Sequence, residues 1–185
     1  MLRHLPNALC IVRMLMVAPL IWLLLTGNYQ WVLVVFFVAG FTDGLDGFLA
    51  KRFSWRSWLG GILDPLADKL LLVSTFLTLT YIGLAPLWLL IAVVARDLII
   101  ILGGVAYRIF IGTVVAQPTT ISKLNSACQL LYVLLVVANA GYGVPGPIIV
   151  GIMSWVVLAT TVTSGLGYVY TWGTKARLAS RRDRS

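Results

Sequence analysis

Apolar and polar positions follow one another along this chain in long blocks rather than residue by residue. Six apolar runs, at residues 8–26, 31–50, 58–81, 86–107, 123–138 and 147–170, are separated by short polar or glycine-rich connections. Each run is near the roughly 20 residues that an α-helix needs to cross a bilayer. Of the 185 residues, 60% are hydrophobic and 11% are charged, which is too apolar for a soluble domain. The pattern therefore predicts an all-α, polytopic integral membrane protein with six transmembrane helices.

Charged residues in the connections orient these helices. The connections GNYQ, YIGLAP and NAGYGVPGP carry no charge, whereas basic residues gather on the other side, around residues 3, 51–56, 108–123 and 175–184. By the positive-inside rule, both termini face the cytoplasm. We predict a membrane domain at residues 1–174 and a basic cytoplasmic tail at 175–185. The net charge is +8, and we expect the basic residues to contact anionic lipid headgroups. They form no continuous patch of the kind that binds nucleic acid.

Four of the six acidic residues lie in one segment, residues 42–69, as Asp43, Asp46, Asp64 and Asp68. A charge at the centre of a bilayer costs ~2.5 to 3.5 kcal/mol, so these carboxylates need compensation. Their spacings of three and four place each pair on one helix face. Two facing pairs would form an oxygen-rich pocket that suits Mg²⁺ or Mn²⁺. Nearby glycines would let a phosphate approach closely, which indicates diphosphate chemistry.

A plainer interpretation treats these carboxylates as helix caps or ion-pair partners. Asp64 followed by Pro65 is typical of a helix N-cap with proline at the first helical position. Lys51, Arg52 and Lys69 could pair with the others. A cap accounts for one carboxylate but not for two pairs at helical spacing, so the metal site is the favoured interpretation.

Two arginines stand inside predicted spans. Arg96 precedes Asp97 in IAVVARDLIII. The two could form a buried pair, or Arg96 could hold a phosphate of a second substrate with its forked donors. Arg13, with Asn7, could line the cytoplasmic mouth of the first helix, where it would contact either a lipid phosphate or a substrate.

Polar residues also open the fifth predicted span, in QPTTISKLNSACQ at residues 117–129. This segment could be only a helix N-terminal cap. However, Ser122, Lys123, Asn125 and Gln129 supply several donors at helical spacing. That combination predicts a site for the headgroup of an acceptor.

The central segment resembles the signature of the CDP-alcohol phosphotransferase family, also called CDP-alcohol phosphatidyltransferases, which reads D-x-x-D-G-x-x-A-R-x8-G-x3-D-x3-D. The matching residues are Asp43, Asp46, Gly47, Ala50, Gly60, Asp64 and Asp68. The chain departs from the signature at Lys51, which stands where the family has arginine and is followed by Arg52. Lysine keeps the charge but loses the bidentate fork.

The resemblance implies an enzyme that transfers the phosphatidyl group of CDP-diacylglycerol to a hydroxyl and releases CMP. It implies that two divalent ions, Mg²⁺ or Mn²⁺, are bound by Asp43, Asp46 and Asp64. Asp68 would be the general base beside the second ion and part of the metal site. The cytidine diphosphate would be contacted by Gly47, Ala50, Lys51 and Gly60.

For the acceptor, ARD at residues 95–97 and PTTISKLNSACQ at 118–129 resemble the cardiolipin synthases of this family. The resemblance implies phosphatidylglycerol as acceptor, bound by Arg96, Ser122, Lys123 and Asn125. Glycerol 3-phosphate, the acceptor of phosphatidylglycerophosphate synthases, is the alternative. Relatives suggest a homodimer in a bacterial inner membrane, with the active site facing the cytoplasm.

Two other classes of protein also use clustered Asp residues in membranes. Membrane prenyltransferases bind Mg²⁺ and a diphosphate, but they usually need more spans and a second Asp-rich motif. A divalent-cation or proton transporter could use the carboxylates as its pathway. A transporter performs no chemistry in micelles, so release of CMP distinguishes the two.

Overall fold

The computed structural model describes the backbone of residues 5–40, 60–110 and 120–182, and the side chains of residues 11–40, 67–104 and 120–169. This part of the chain is helical apart from short turns, which confirms the predicted all-α class. Its helices are α1 (Leu5–Leu25), α2 (described over Tyr29–Gly40), α3 (Gly60–Tyr81), α4 (Leu87–Phe110), α5 (Thr120–Tyr142) and α6 (Pro147–Arg182).

Three of the described helices are long and apolar enough to cross a membrane. The spans are Leu87–Gly104, Thr120–Tyr142 and Pro147–Val169, with mean hydropathies of 2.2, 1.6 and 1.8. At 1.5 Å per residue, 23 residues extend roughly 34 Å, slightly more than the ~30 Å hydrocarbon core. Within the described residues, two further apolar helical stretches lie at Ile11–Leu25 and Tyr29–Gly40. The number of spans and the orientation of the termini stay predictions.

Two helices exceed their predicted lengths by more than two residues. α5 begins at Thr120 rather than Lys123 and ends at Tyr142 rather than Ala138, because its polar end residues continue the helical hydrogen bonding. α6 continues past the predicted end at Tyr170 to Arg182. Most of the predicted tail is therefore an extension of α6.

The burial pattern is that of a membrane protein. Large apolar side chains are exposed along the helices, for example Phe37 at 75%, Leu102 at 63% and Leu166 at 64%. Polar side chains such as Arg96 and Asn125 are buried instead. An apolar surface of this extent is unfavourable in water and favourable against lipid tails, which confirms an integral membrane protein.

The chain forms two compact units. The first comprises residues 1–85 and 133–150, and the second comprises residues 86–132 and 151–185. In the first unit α1 packs against α3, and the fully buried side chains include Leu20 and Phe76. In the second unit Val93 and Val157 are fully buried, and the rings of Trp88 and Trp155 stack with centroids 5.1 Å apart.

Glycines end two of the helices of the first unit at the predicted connections. Gly27 after α1 and Gly83 after α3 have φ angles of 72° and 79°. After α3, Leu84 N donates to Leu79 O at 2.8 Å and Gly83 N donates to Thr80 O at 3.1 Å. This pair of bonds is a Schellman motif, which needs a left-handed residue and so favours glycine. These turns explain why the uncharged connections can be short.

Candidate active site

An ion pair connects α1 to the predicted carboxylate site in the first unit. Arg13 Nη1 on α1 donates a hydrogen bond to Asp68 Oδ1 on α3. The Arg13 side chain is 2% exposed, whereas that of Asp68 is 47% exposed. A guanidinium buried this deeply needs an anionic partner, and Asp68 supplies it. Asp68 is thereby held in place by the neighbouring helix while still reachable from outside.

The start of α3 excludes one interpretation of Asp64. The helix begins at Gly60, so residue 64 lies inside it rather than at its N-cap. The N-cap interpretation is therefore wrong. Residues 64 and 68 are one turn apart on the same face of α3, as the metal-site interpretation requires.

Most of the other predicted site residues lie outside the described part of the chain. Asp43, Asp46, Gly47, Ala50 and Lys51 fall between α2 and α3 in the sequence, and the side chain of Asp64 is also outside it. Among the described residues, no group of three His, Cys, Asp or Glu could hold a metal ion. The residues on α3 nevertheless fit a hard divalent cation in kind, since both are carboxylates and Asp68 is accessible. The metal site and the cytidine diphosphate contacts stay predictions.

A buried arginine organises polar side chains from three helices in the second unit. Arg96 on α4 donates from Nη1 to Asp97 Oδ1 at 2.7 Å, and from Nη2 to Ser122 Oγ on α5 and Ser164 Oγ on α6 at 2.5 and 2.8 Å. The Arg96 side chain also packs beside Gly165 on α6, where a Cβ would lie in ordinary van der Waals contact, 3.6 Å from Arg96 Cγ. Arg96 therefore forms the buried pair with Asp97 and also contacts two hydroxyls, whereas its binding of a substrate phosphate stays a prediction.

The Nε donor of this arginine remains available within the described part of the chain. Arg96 is 6% exposed, and its Nε has no hydrogen-bond partner among the described residues. A buried N–H without a partner is costly, and an Arg donor beside two hydroxyls suits a phosphate oxygen. The cluster of Arg96, Ser122 and Ser164, hereafter the arginine cluster, can thus hold an anion.

The other predicted acceptor residues on α5, Asn125 and Lys123, differ in burial. Asn125 is fully buried, and its Oδ1 accepts hydrogen bonds from Thr160 Oγ1 and Thr161 Oγ1 on α6, both at 2.9 Å. Lys123 is exposed, so it does not join the buried cluster. Ser122 and Asn125 therefore face α4 and α6, whereas Lys123 faces outward.

Sequence reasoning missed the α6 side of this site and the partner of Arg13. The signal for α6 was present, because Thr160, Thr161 and Ser164 put hydroxyls on one helical face of an otherwise apolar span. No sequence signal connects Arg13 with Asp68, because they are 55 residues apart.

Taken together, these features define a helical membrane protein with buried charged side chains and a reachable carboxylate. The chain belongs to the CDP-alcohol phosphatidyltransferase family, whose model matches residues 3–163. The match includes the whole Asp segment and most of the described helices.

Its relatives include two kinds of phosphatidyltransferase. The chain is 34% identical over 186 residues to the human cardiolipin synthase (CMP-forming), covering 92% of this chain and 62% of that protein. It is 36% identical over 110 residues to the cardiolipin synthase (CMP-forming) of Streptomyces coelicolor, covering 56% and 51% of the two. It is 26% identical over 187 residues to the CDP-diacylglycerol–glycerol-3-phosphate 3-phosphatidyltransferase of Bacillus subtilis, covering 89% and 93%. The chain thus spans less than two thirds of these cardiolipin synthases.

Proposed function

We propose that this protein transfers the phosphatidyl group of CDP-diacylglycerol to a hydroxyl of phosphatidylglycerol, forming cardiolipin and releasing CMP. The observation that carries the reaction class is the complete spacing of Asp43, Asp46, Asp64 and Asp68 within the matched family region. Similarity to cardiolipin synthases supports the acceptor. Glycerol 3-phosphate is the second candidate, supported by similarity to the Bacillus subtilis protein over nearly its whole length.

In this proposal Asp43, Asp46, Asp64 and Asp68 hold two divalent ions, Mg²⁺ or Mn²⁺. When bound, such ions neutralise the diphosphate and the leaving phosphate. Lys51 supplies further positive charge to the cytidine diphosphate, with Gly47, Ala50 and Gly60 leaving room for it. The donor chemistry of the segment, carboxylates followed by a cation and small residues, supports this division of roles.

Asp68 is the proposed general base. The acceptor hydroxyl oxygen forms a bond to the phosphatidyl phosphorus, the bond from that phosphorus to the CMP oxygen breaks, and the hydroxyl proton passes to the Asp68 carboxylate. Arg13 donates a hydrogen bond to this carboxylate, which would orient it towards the acceptor hydroxyl. The 47% exposure of Asp68 supports access by a substrate.

The acceptor phosphate is assigned to the arginine cluster. Arg96 Nε and the hydroxyls of Ser122 and Ser164 would bind its oxygens, with Asn125 one turn further along α5 and Lys123 at the exposed rim. Asp97 balances part of the Arg96 charge, so that one added phosphate does not leave a large net charge in the bundle.

We place the active site at the cytoplasmic face of a bacterial inner membrane, in a protein of six spans that forms a homodimer. The uncharged connections on one side and the basic residues on the other support this orientation. Membership of the family supports the dimer only by analogy.

The test is an assay of purified protein in detergent micelles. CDP-diacylglycerol is supplied with Mg²⁺ or Mn²⁺ and with either phosphatidylglycerol or glycerol 3-phosphate, and CMP and the lipid product are identified by mass. We expect cardiolipin from phosphatidylglycerol and no CMP after chelation of the metal. A product from glycerol 3-phosphate alone would favour the second candidate, and no CMP from either acceptor would favour the transporter.

A variant of the proposed base sharpens this assay. Asp68→Asn keeps the size of the side chain but cannot accept a proton, so we expect CMP release to fall at least ~100-fold. Binding of CDP-diacylglycerol, measured by its effect on the melting temperature, should persist. Wild-type turnover in this variant would remove Asp68 from the proposed mechanism.

A further inference from the structure

Two buried amides on α5 carry donors that nothing in the described chain accepts. Asn125 is 0% exposed and Gln129 is 4% exposed. Neither Asn125 Nδ2 nor Gln129 Nε2 has a hydrogen-bond partner among the described residues. A buried NH₂ group without an acceptor loses its water and gains nothing, so proteins seldom keep one without a use.

These donors continue the arginine cluster along one face of α5. Ser122, Asn125 and Gln129 are spaced by three and four residues, which places them in one row on the helix. With a rise of 1.5 Å per residue, Asn125 lies roughly 4.5 Å and Gln129 roughly 10 Å beyond Ser122 along the axis. We name Asn125 and Gln129 the amide pair.

The opposing face of α6 explains why Gln129 is unsatisfied. Arg96 links Ser122 to Ser164, and Asn125 accepts from Thr161, so the two helices run antiparallel with these residues in register. One further turn in the same register brings Gln129 opposite Val157, which is fully buried. A hydrocarbon side chain cannot accept a hydrogen bond.

Since no described residue accepts from these two NH₂ groups, an acceptor supplied by a ligand would satisfy them. The two NH₂ groups lie further along α5 than the Arg96 guanidinium, in a span of mean hydropathy 1.6. Because that span is apolar, the ligand atoms that reach this depth should be uncharged oxygens. Ester carbonyl oxygens on a glycerol backbone meet this requirement, because they follow the phosphate of a phospholipid towards the hydrocarbon. Glycerol 3-phosphate has no such extension.

We propose that the amide pair binds the ester carbonyl oxygens of a phospholipid acceptor whose phosphate lies at the arginine cluster. This inference rests on the proposed function, since it divides one acceptor between two subsites. The amide pair then favours a diacylated acceptor over a water-soluble phosphate. The amide pair selects the acceptor by the acylated glycerol backbone of the lipid and takes no part in the chemical step.

Gln129→Met is the sharpest test, because Met has a similar length and removes the NH₂ group. In mixed micelles, we expect the KM for phosphatidylglycerol to rise roughly tenfold, the size of one hydrogen bond to a neutral group. The KM for CDP-diacylglycerol and kcat should stay within about twofold of wild type. The melting temperature without ligand should be unchanged or higher, because an unsatisfied donor has been removed.

A second measurement keeps the proposal testable should turnover be weak. Phosphatidylglycerol added to the wild-type protein should raise its melting temperature more than that of Gln129→Met. Thr163→Val is the matched control, since Thr163 is exposed on α6 and donates only to its own helix at Ala159 O and Thr160 O. This control should leave the KM for phosphatidylglycerol unchanged.

Each other result overturns the inference in a distinct way. An unchanged KM in Gln129→Met excludes the ester contact, while an equal rise for CDP-diacylglycerol assigns it to the donor lipid. Glycerophosphoglycerol lacks the fatty-acyl ester groups. An equal rise in KM for that acceptor would therefore assign Gln129 to the headgroup. A lower melting temperature together with the raised KM makes Gln129 structural. If wild type makes no cardiolipin, the proposed function fails first.

Discussion

At the scale of single residues, the pairing of Arg13 with Asp68 is the strongest constraint on the candidate site. A fully buried arginine would be very unfavourable in a helix bundle without an anionic partner. Its partner is a carboxylate that remains 47% exposed. The pair therefore fixes the position of Asp68 without burying it. We regard Arg13 as a positioning residue for the proposed base.

The first prediction concerns Arg13→Met. Removal of the guanidinium takes away one partner of Asp68, and water can still hydrate the exposed carboxylate, so the loss in stability should be about 1 to 2 kcal/mol. We expect kcat for CMP release to fall at least ~10-fold, with the KM for CDP-diacylglycerol changed by less than about threefold. Steady-state kinetics and thermal unfolding in the same detergent measure both effects.

Arg13→Lys is the matched control for this prediction. Lysine keeps the charge but offers a point donor instead of a planar fork, so it should restore stability more fully than kcat. If Arg13→Met retains wild-type kcat, Arg13 has no positioning role. If stability and kcat fall equally in Arg13→Met and Arg13→Lys, the pair of Arg13 and Asp68 serves the fold alone.

At the scale of helices, the turns after α1 and α3 are short and each contains a glycine with a positive φ angle. Gly83 closes a Schellman motif with φ of 79°, and nothing lies within 4 Å of the position a Cβ would take. The requirement for glycine at that position is therefore conformational rather than steric. A left-handed backbone costs an L-residue roughly 1 to 2 kcal/mol.

The second prediction follows from that conformation. Gly83→Ala should lower the free energy of unfolding by about 1 kcal/mol, because alanine resists the positive φ. Activity at low temperature should be unchanged, since the turn has no proposed substrate contact. Thermal unfolding of the purified protein in detergent measures the change.

A glycine inside a helix is the control for Gly83. Gly151 lies within α6 without a positive φ and with nothing within 4 Å of its absent Cβ. Gly151→Ala should be neutral or slightly stabilising. Equal destabilisation in the two variants would mean that alanine acts by a mechanism other than the turn.

At the scale of the whole molecule, the distribution of charge predicts the topology. Uncharged connections follow α1, α3 and α5, whereas Lys123 begins α5 and basic residues end α6. Insertion favours retention of Lys and Arg on the cytoplasmic side. Substrates that carry cytidine diphosphate would then enter from the side where nucleotides are made.

The third prediction tests this topology by labelling single cysteines. After Cys10 and Cys128 are replaced, a cysteine introduced at Gly83 should react with a membrane-impermeant maleimide added to intact cells. A cysteine introduced at Thr120 should react only after the membrane is opened. The reverse pattern would invert the orientation and place the proposed active site on the outer side.

A cysteine introduced at Tyr142 provides an independent check of the same orientation. It lies at the end of α5 opposite Thr120, so it should behave as the Gly83 position does. Labelling of Thr120 and Tyr142 from the same side would mean that α5 does not cross the membrane.

The helical class and the approximate helix bounds were predictable because lipid imposes a simple requirement. Each span must be apolar over about 20 residues and must satisfy its backbone hydrogen bonds internally. The ends of α3 and the start of α6 were therefore found within a few residues. The predicted α5 was too short, because polar residues continue the helix at its ends and the prediction followed apolar residues only.

The sequence by itself determined the membrane class, the family through its spaced Asp residues, and the candidate acceptor residues Arg96, Ser122 and Asn125. These depend on composition and short-range spacing, which a linear pattern records. Only the tertiary structure decided that Arg13 reaches Asp68, that Ser164 joins Arg96, and that the amide pair is buried with no acceptor for its NH₂ groups among the described residues. Those contacts join residues far apart in the chain, so their partners depend on how the helices pack.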